Sequence, residues 1–354
     1  MLGNRAMNNR FQALVHGAAL ALIIGWVLYI GQDVFIPVVF GVFVFYVVVG
    51  LTRLLTRVPL VGRHLPEWLR YTLSILLIGL VLFAIALLAL ASKNGVLAQA
   101  PLYEQSLLAT IQKIALFFHI EDEPTWTTLR RDVLAQISVQ RFVGVTLAAV
   151  TSVVVGVLVV ILYAALMLVE QHVFEAKLAN LSPDPHTVAR IRQLTTDINA
   201  RIGSYLGLKT MLSLLLGVLS WVAMALAGLE FAGLWAVLIG LLNYIPYIGS
   251  VLGVAFPVLM AIVQFDSAGQ VVAVLLPLTI AQFVIGNIID PLAMGNSLNL
   301  SPLAILVSLA VWTGLWGIPG AFLAVPITAI LTIILSEFPG TRPIAVLLSR
   351  NGKV

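Results

Sequence analysis

Apolar residues in this chain come in long runs, and polar residues gather between them. A helix needs about 20 successive apolar residues to cross a bilayer core. Runs of that kind lie at 11–30, 34–51, 71–91, 142–169 and 211–229. The first follows Arg5 and Arg10 in the manner of a signal peptide. It exceeds the roughly 7–15 residues of a signal core and further spans follow at once, so it reads as a retained first span. Beyond 230 the pattern changes. From 231 to 336 only Asp266 and Asp290 carry charge. Three sequences interrupt this stretch: LNYIPYIG at 242–249, GNIIDPLAMG at 286–295 and GLWGIPG at 314–320. Broken backbone at membrane depth is tolerated only where protein or a water-filled cavity satisfies it. The run 231–265 is too long for one straight span and short for two. Asn243 and Pro246 divide it, which predicts one discontinuous helix or a re-entrant pair. A further span is expected at 271–289. Ser301-Pro302, an N-cap with a first-turn proline, opens a last run to 336.

The polar stretches set the expected topology. Residues 52–70 carry Arg53, Arg57, Arg63 and Arg70 against Glu67 alone, the signature of a cytoplasmic loop. Residues 92–141 predict two amphipathic helices. Leu107, Ile111, Ile114 and Phe118 face one way on the first; Trp126, Leu129, Val133 and Ile137 do so on the second. Glu121-Asp122-Glu123-Pro124 separates them, read as a solvated acidic loop rather than a cation site, with Thr125 as N-cap. Residues 170–209 are basic. Asp184-Pro185 caps a helix there, and Ile191, Leu194, Ile198 and Ile202 form its apolar stripe on the cytoplasmic surface. Both termini then lie in the cytoplasm, with three crossings between 231 and 336. The expected fold is all-α: a polytopic membrane protein with about eight transmembrane helices, several broken or re-entrant in the C-terminal half. Its expected divisions are 1–91, three spans; 92–141, an extracytoplasmic insert; 142–209, a fourth span and a cytoplasmic helix; 210–336, a transport core; and 337–354, a cytoplasmic tail.

Composition narrows the function classes. The chain is 61% hydrophobic and 10% charged, whereas soluble domains carry about a quarter charged residues. A net charge of +4 acts through topology and is no nucleic-acid footprint. With no Cys, disulfides, thiolate metal sites and Cys nucleophiles are excluded. There is no His-Glu-x-x-His motif and no phosphate loop, and Gly249-Ser250 has no His partner in its region. No enzymatic role, cofactor or metal centre is expected. The expected partners are the lipid bilayer, a small solute, and a proton or sodium ion.

The uncharged core offers few hydrogen-bonding side chains: Asn243, Gln282, Asn287 and Asp290 stand out. An Asp at mid-bilayer costs about 2.5–3.5 kcal/mol on insertion scales, a cost retained for ion binding, proton transfer or substrate contact. Asp290-Pro291 is equally a standard helix start with Asp as N-cap. Pro246 removes a backbone donor and frees acceptors, which Asn243 satisfies or leaves to a ligand. Tyr244 and Tyr247 read alternatively as interfacial anchors. A faint echo links Ile245-Pro246, Gly249, Gly253, Pro257 and Ala261-Ile262 to Ile318-Pro319, Gly320, Pro326 and Ala329-Ile330. Paired broken segments point to a transporter path. The candidate path residues are Asn243, Pro246, Gly249, Gln282, Asn287, Asp290, Pro291, Gly317, Pro319 and Gly320.

At these residues the sequence resembles the bacterial autoinducer-2 exporter family. LNYIPYIGSVLG, ending at Gly253, and the stretch from Ile288 to Ala329 carry the resemblance. Gly295, Leu298, Ser301-Pro302, Gly317, Gly320 and Ala324-Val325-Pro326 fit best. The resemblance implies an eight-span inner-membrane protein working by secondary transport. Some relatives resemble exporters of the quorum signal autoinducer-2; others are associated with sodium or lithium exchange for protons. Homo-oligomers are suggested for relatives. The expected function is a secondary transporter, exporter or antiporter. A passive channel, a non-transporting scaffold or a permease subunit are the alternatives.

Overall fold

A computed structural model describes residues 2–57, 65–66, 68–91 apart from 82, 86, 89 and 90, and 158–353 apart from 172, 175, 181, 266 and 295–297. Side chains are described from 15 onward, except at 53 and 54. The expected insert at 92–141, with its acidic triplet and Thr125 cap, lies outside the described residues. So does the start of the fourth span.

Helices account for nearly all of the described chain. They are α1 (Leu2–Ile30), α2 (Gln32–Arg57), α3 (Trp68–Ile85), α4 (Leu158–Gln171), α5 (Pro185–Leu226), α6 (Ala232–Leu242) and α7 (Ile248–Gln264). After them come α8 (Ala268–Phe283), a π-turn (Val284–Ile289), α9 (Asp290–Met294), α10 (Pro302–Ser336) and α11 (Arg342–Leu348). Among the described residues no strand forms; Leu300 and Ser349 share one isolated antiparallel bridge. Five helical segments are long and apolar enough to cross a membrane: Gln32–Thr52, Trp68–Ile85, Pro185–Leu226, Ala268–Ala293 and Pro302–Ser336. Leu73, Leu76, Leu80 and Phe83 of α3 stand exposed, as side chains facing lipid tails do. The chain is a polytopic all-α membrane protein.

Helix α5 runs unbroken for 42 residues, about 63 Å. Asp184 starts it as expected. Its carboxylate accepts from the N–H of His186 at 3.1 Å and from the N–H and hydroxyl of Thr187 at 3.1 and 2.6 Å. Gly228 ends it at φ 74. There the Leu229 N–H reaches the Met224 carbonyl and the Gly228 N–H reaches that of Ala225, a Schellman motif. The expected boundary at 209–210 falls inside this helix. The apolar stripe predicted for its first half continues along one buried face as Ile202, Leu206, Lys209, Ser213, Leu216, Ser220 and Met224.

The described chain folds as two compact units. One comprises Met1–Phe45, Leu162–Ile202 and Leu298–Val354; the other Tyr46–Ile161 and Gly203–Ser297. In the second unit α5 and α6 run antiparallel at close quarters. A Cβ on Gly217 would lie 3.3 Å from the Ala236 carbonyl oxygen, and one on Gly240 would lie 3.1 Å from that of Ser213. Small residues at such crossings let membrane helices approach. Leu212, Leu216, Met224, Ala236, Ile239, Ala261, Val274 and Leu278 join in its buried core.

Each unit contains a helical hairpin. In the second, α6 and α7 fold back on each other: a Cβ on Gly249 would meet the Leu242 carbonyl, and one on Gly253 would touch the Ile239 side chain. Helix α6 is about 16 Å long and α7 about 25 Å, short of a roughly 30 Å hydrocarbon core. Of the two forms expected for 231–265, the structure adopts the pair. In the first unit, α10 breaks at Gly317, where φ is 62 and ψ is −140. Its arms, 302–316 and 318–336, also fold back, since the Trp312 indole donates to the Thr328 hydroxyl at 3.1 Å. In a straight helix those residues would stand about 24 Å apart. Consistently, Ser301 at the start of α10 bonds through its N–H to the Leu348 carbonyl beyond its end. The last run, 301–336, is thus one of the broken segments expected in the C-terminal half, and it reverses at its break. Gly317, exposed at the tip, lets the run reverse where an uninterrupted helix would have carried on.

Candidate functional site

The polar residues of the second unit converge on α5. At the tip of the α6–α7 hairpin, Asn243 is buried and its Nδ2 donates to the Ser213 hydroxyl at 3.0 Å. One residue on, the Tyr244 hydroxyl bonds that of Thr210 at 2.7 Å. Tyr244 is thus buried against protein and does not anchor at an interface; Tyr247 is exposed. Tyr247 adopts φ 61 and ψ −56, a conformation seldom taken by a residue with a side chain. Pro246 sits in the turn and not within a helix, so it frees no carbonyl. The carbonyl four residues before it, Leu242, accepts from the Ile245 N–H at 2.8 Å. Gly249 is required by space, because a Cβ there would stand 1.8 Å from the Leu242 carbonyl oxygen. At the opposite end of the hairpin, Gln264 closes the loop after α5. Its Nε2 donates to the Gly228 carbonyl and its Oε1 accepts from the Glu230 N–H, each at 2.8 Å.

Asp290 does not cap a helix. Its φ of −56 and ψ of −53 are helical, and its N–H bonds the Ile285 carbonyl five residues back. Pro291 follows inside the helix, which continues to Met294. A proline there clashes with the carbonyl four residues earlier. The π-turn from Val284 to Ile289 widens the helix just ahead of it, a device that often marks functional sites. The N-cap reading is thereby corrected, and the helix of the span expected at 271–289 runs on through Pro291 to Met294.

The carboxylate of Asp290 has found a partner. Lys209 Nζ donates to Asp290 Oδ2 at 2.7 Å, with side-chain exposures of 8% and 19%. Asp290 Oδ1 is buried and has no hydrogen-bond partner among the described residues. Tyr205, one turn before Lys209, lies within electrostatic reach of Asp290. Breaking a buried pair by removing one member typically costs about 3–5 kcal/mol, because a charge is left behind. The sequence pattern places Lys209 at the end of the basic stretch 170–209. The signal that places it otherwise is spacing: it continues the stripe that begins at Ile191.

Other candidates fall into place around this pair or away from it. Gln282 is buried in the second unit, and its Nε2 has no partner among the described residues. A Cβ on Gly253 would lie 3.4 Å from that nitrogen. Ser220 Oγ, on the same face of α5 as Lys209, is likewise buried and unpartnered among the described residues. Asn287 is exposed and bonds the Phe283 carbonyl of its own helix at 3.3 Å, so it does not join Asp290. Gly317, Pro319 and Gly320 belong to the first unit. A Cβ on Gly320 would stand 1.9 Å from the Trp312 carbonyl oxygen. Among the described residues, no three His, Asp or Glu side chains gather as metal ligands would. The arrangement offers a buried ammonium and a largely enclosed carboxylate, with neutral hydrogen-bonding groups nearby.

The family model described as AI-2E family transporter matches residues 18–340. A protein of Haemophilus influenzae, described by transport with no solute named, is 30% identical over 96% of this chain and 97% of its own. YhhT of Escherichia coli strain K12, described in the same terms, is 30% identical over 82% of this chain and 83% of its own. The AI-2 transport protein TqsA of the same strain is 40% identical over 43% of this chain and 44% of its own.

Proposed function

The chain belongs to the AI-2E family of transporters, and on that premise we propose that it is a proton-coupled secondary transporter exporting a small polar solute. Asp290 is the group that takes up and releases the proton. One observation carries this reading: a buried ammonium is paired with a largely enclosed carboxylate, 19% exposed, among apolar helices. Charges are kept at such depth where transport needs them. Ionised, Asp290 holds Lys209. Protonated, it lets the ammonium go, so proton uptake interconverts two arrangements of the site and biases their populations. Asn243, Ser213 and Gln282 supply neutral donors and acceptors suited to an uncharged, hydroxyl-bearing solute. The relative named for autoinducer-2 transport makes that signal the first solute to try. The arginines at 53–70 favour an inner membrane with both termini in the cytoplasm.

The test uses purified protein in proteoliposomes with an imposed pH gradient and autoinducer-2 as the probe. Flux should follow the gradient in the wild type. In Asp290→Asn, flux should lose its gradient dependence while the protein stays monodisperse in detergent. Full gradient dependence in that variant would sink the assignment. Flux that rises linearly with solute concentration and never saturates would indicate a channel instead.

A further inference from the structure

Asp290 is neutralised by a cation that the protein itself supplies. Lys209 Nζ stands 2.7 Å from Oδ2, where a soluble cation would bind. Lys209 is 6% exposed and sits midway along α5, so it is fixed in place by the helix. Its three donors and no acceptor make it a standing competitor for any metal ion at this carboxylate. The other oxygen, Oδ1, is buried and unpartnered among the described residues. One open oxygen beside an ammonium suits one proton. The charged and titratable groups turned toward Asp290 are Lys209 and Tyr205 from α5, with Tyr244 of the hairpin beside Tyr205. Asn287, on its own helix, is bonded to backbone and does not titrate.

We propose that Lys209 sets the coupling-ion specificity of this site, by holding the place at Asp290 that a sodium or lithium ion would take and leaving Oδ1 to a proton. The proposal rests on the reading of Asp290 as the coupling group. In the binding step a proton adds to Oδ1. The Lys209–Asp290 pair goes from neutral to a net charge of one, and the ammonium is released from its ionic partner. A metal ion could enter the same site only against the positive charge already there. Removing the ammonium should therefore convert a sodium-blind carboxylate into a sodium-responsive one. Lys209 is a positioning and specificity residue here, not the group that carries the ion.

Thermal unfolding of the full chain in detergent tests this without any flux measurement. The probes are sodium, lithium and choline chloride at matched ionic strength. The wild type should unfold at the same midpoint in all three. Lys209→Gln should gain a midpoint rise of about 2–4 °C in sodium or lithium over choline, as a ligand bound only to the folded state produces. Lys209→Gln combined with Asp290→Asn should lose that rise. Lys209→Arg, which keeps the charge, should stay unresponsive. A Lys209→Gln protein as indifferent to sodium as the double variant would overturn the proposal. So would a sodium-dependent rise in the wild type that Asp290→Asn abolishes. Should Lys209→Gln not survive purification, the wild type and Lys209→Arg decide: insensitivity of both supports the proposal, and an Asp290-dependent sodium response in either rejects it. Loss of proton coupling is read separately in vesicles, so either idea can fail while the other stands.

Discussion

In both hairpins a glycine of the second helix is pressed against a carbonyl of the first: Gly249 against Leu242 and Gly320 against Trp312. Both tips also carry a residue at positive φ, Tyr247 at 61° and Gly317 at 62°. The side chains differ. The α6–α7 tip is tied to α5 by Asn243 and Tyr244, through Ser213 and Thr210. The α10 hairpin is stitched by indoles. Trp312 bonds Thr328 across the arms, Trp316 donates to the Leu28 carbonyl of α1, and the two rings lie 5.2 Å apart. Phe322 packs on Phe40 and Phe43 of α2. One hairpin thus keeps buried polar groups and strain on a tyrosine, and the other is closed by large rings with its reversal on a glycine. Strain held at a non-glycine residue is found where function maintains it. A shared backbone device thus carries two kinds of side chain; on the function proposed above, the polar hairpin is the working tip and the ring-bound one a brace.

The largest expected effects test what the hairpins share. Gly249→Ala and Gly320→Ala each force a Cβ into backbone, and overpacking of this severity costs about 3 kcal/mol or more. Both should lower the unfolding midpoint in detergent sharply or abolish recovery. Gly314→Ala, with open space around it, is the control and should be tolerated. A recovery of Gly249→Ala equal to that of Gly314→Ala would refute the close approach.

The next pair should separate the hairpins. Asn243→Ala leaves its Ser213 partner unsatisfied, and Trp312→Phe does the same to Thr328; each should cost about 1–3 kcal/mol in stability. Only Asn243→Ala should also depress solute flux in vesicles beyond the loss of folded protein. Equal effects on flux would erase the distinction drawn between tip and brace.

A smaller effect of opposite sign is expected at Tyr247. Tyr247→Gly relieves a positive φ and should raise stability or leave it unchanged, with about 1 kcal/mol as the upper end. Flux should fall if the exposed ring belongs to the working tip. A clear loss of stability would contradict the strain.

The smallest effect lies upstream of both hairpins, at the start of α5. The Thr187 hydroxyl, with the N–H groups of His186 and Thr187, holds the Asp184 carboxyl below its usual range. A carboxyl lowered in the folded state stabilises above its unfolded pKa, and that contribution is lost as pH falls through the folded value. Asp184→Ala should remove this slight acid sensitivity and leave flux at neutral pH unchanged. The comparison is a pair of melting curves across the acid range.

Much of this was legible from residue order. The breaks at 242–249 and 314–320 were visible because Gly, Pro and Asn interrupt runs that contain nothing charged. The caps at Asp184 and Ser301 were visible because their side chains and the following prolines act locally; Ser301 Oγ accepts from the Ala304 N–H as a cap should. The fold-back of α10 was hidden, since an uncharged run reads the same whether it continues or reverses at Gly317. Lys209 was hidden for a different reason. A lysine beside an apolar run looks like a loop charge, and its partner lies 81 positions away. Asp290 was ambiguous because Asp-Pro is a cap in the local code, and the preceding π-turn lets the helix run through it.

That π-turn also says something about how the chain could lose or gain residues. A π-turn holds one residue more than the α-helix it interrupts. Deleting Gly286, whose surroundings are open, would let 284–289 close into ordinary helix without a gap. Every residue on one side of the deletion would then turn by roughly 100° relative to the other. The helix would survive and Asp290 would face away from Lys209. In this segment, chain length itself is a constraint as strict as residue identity.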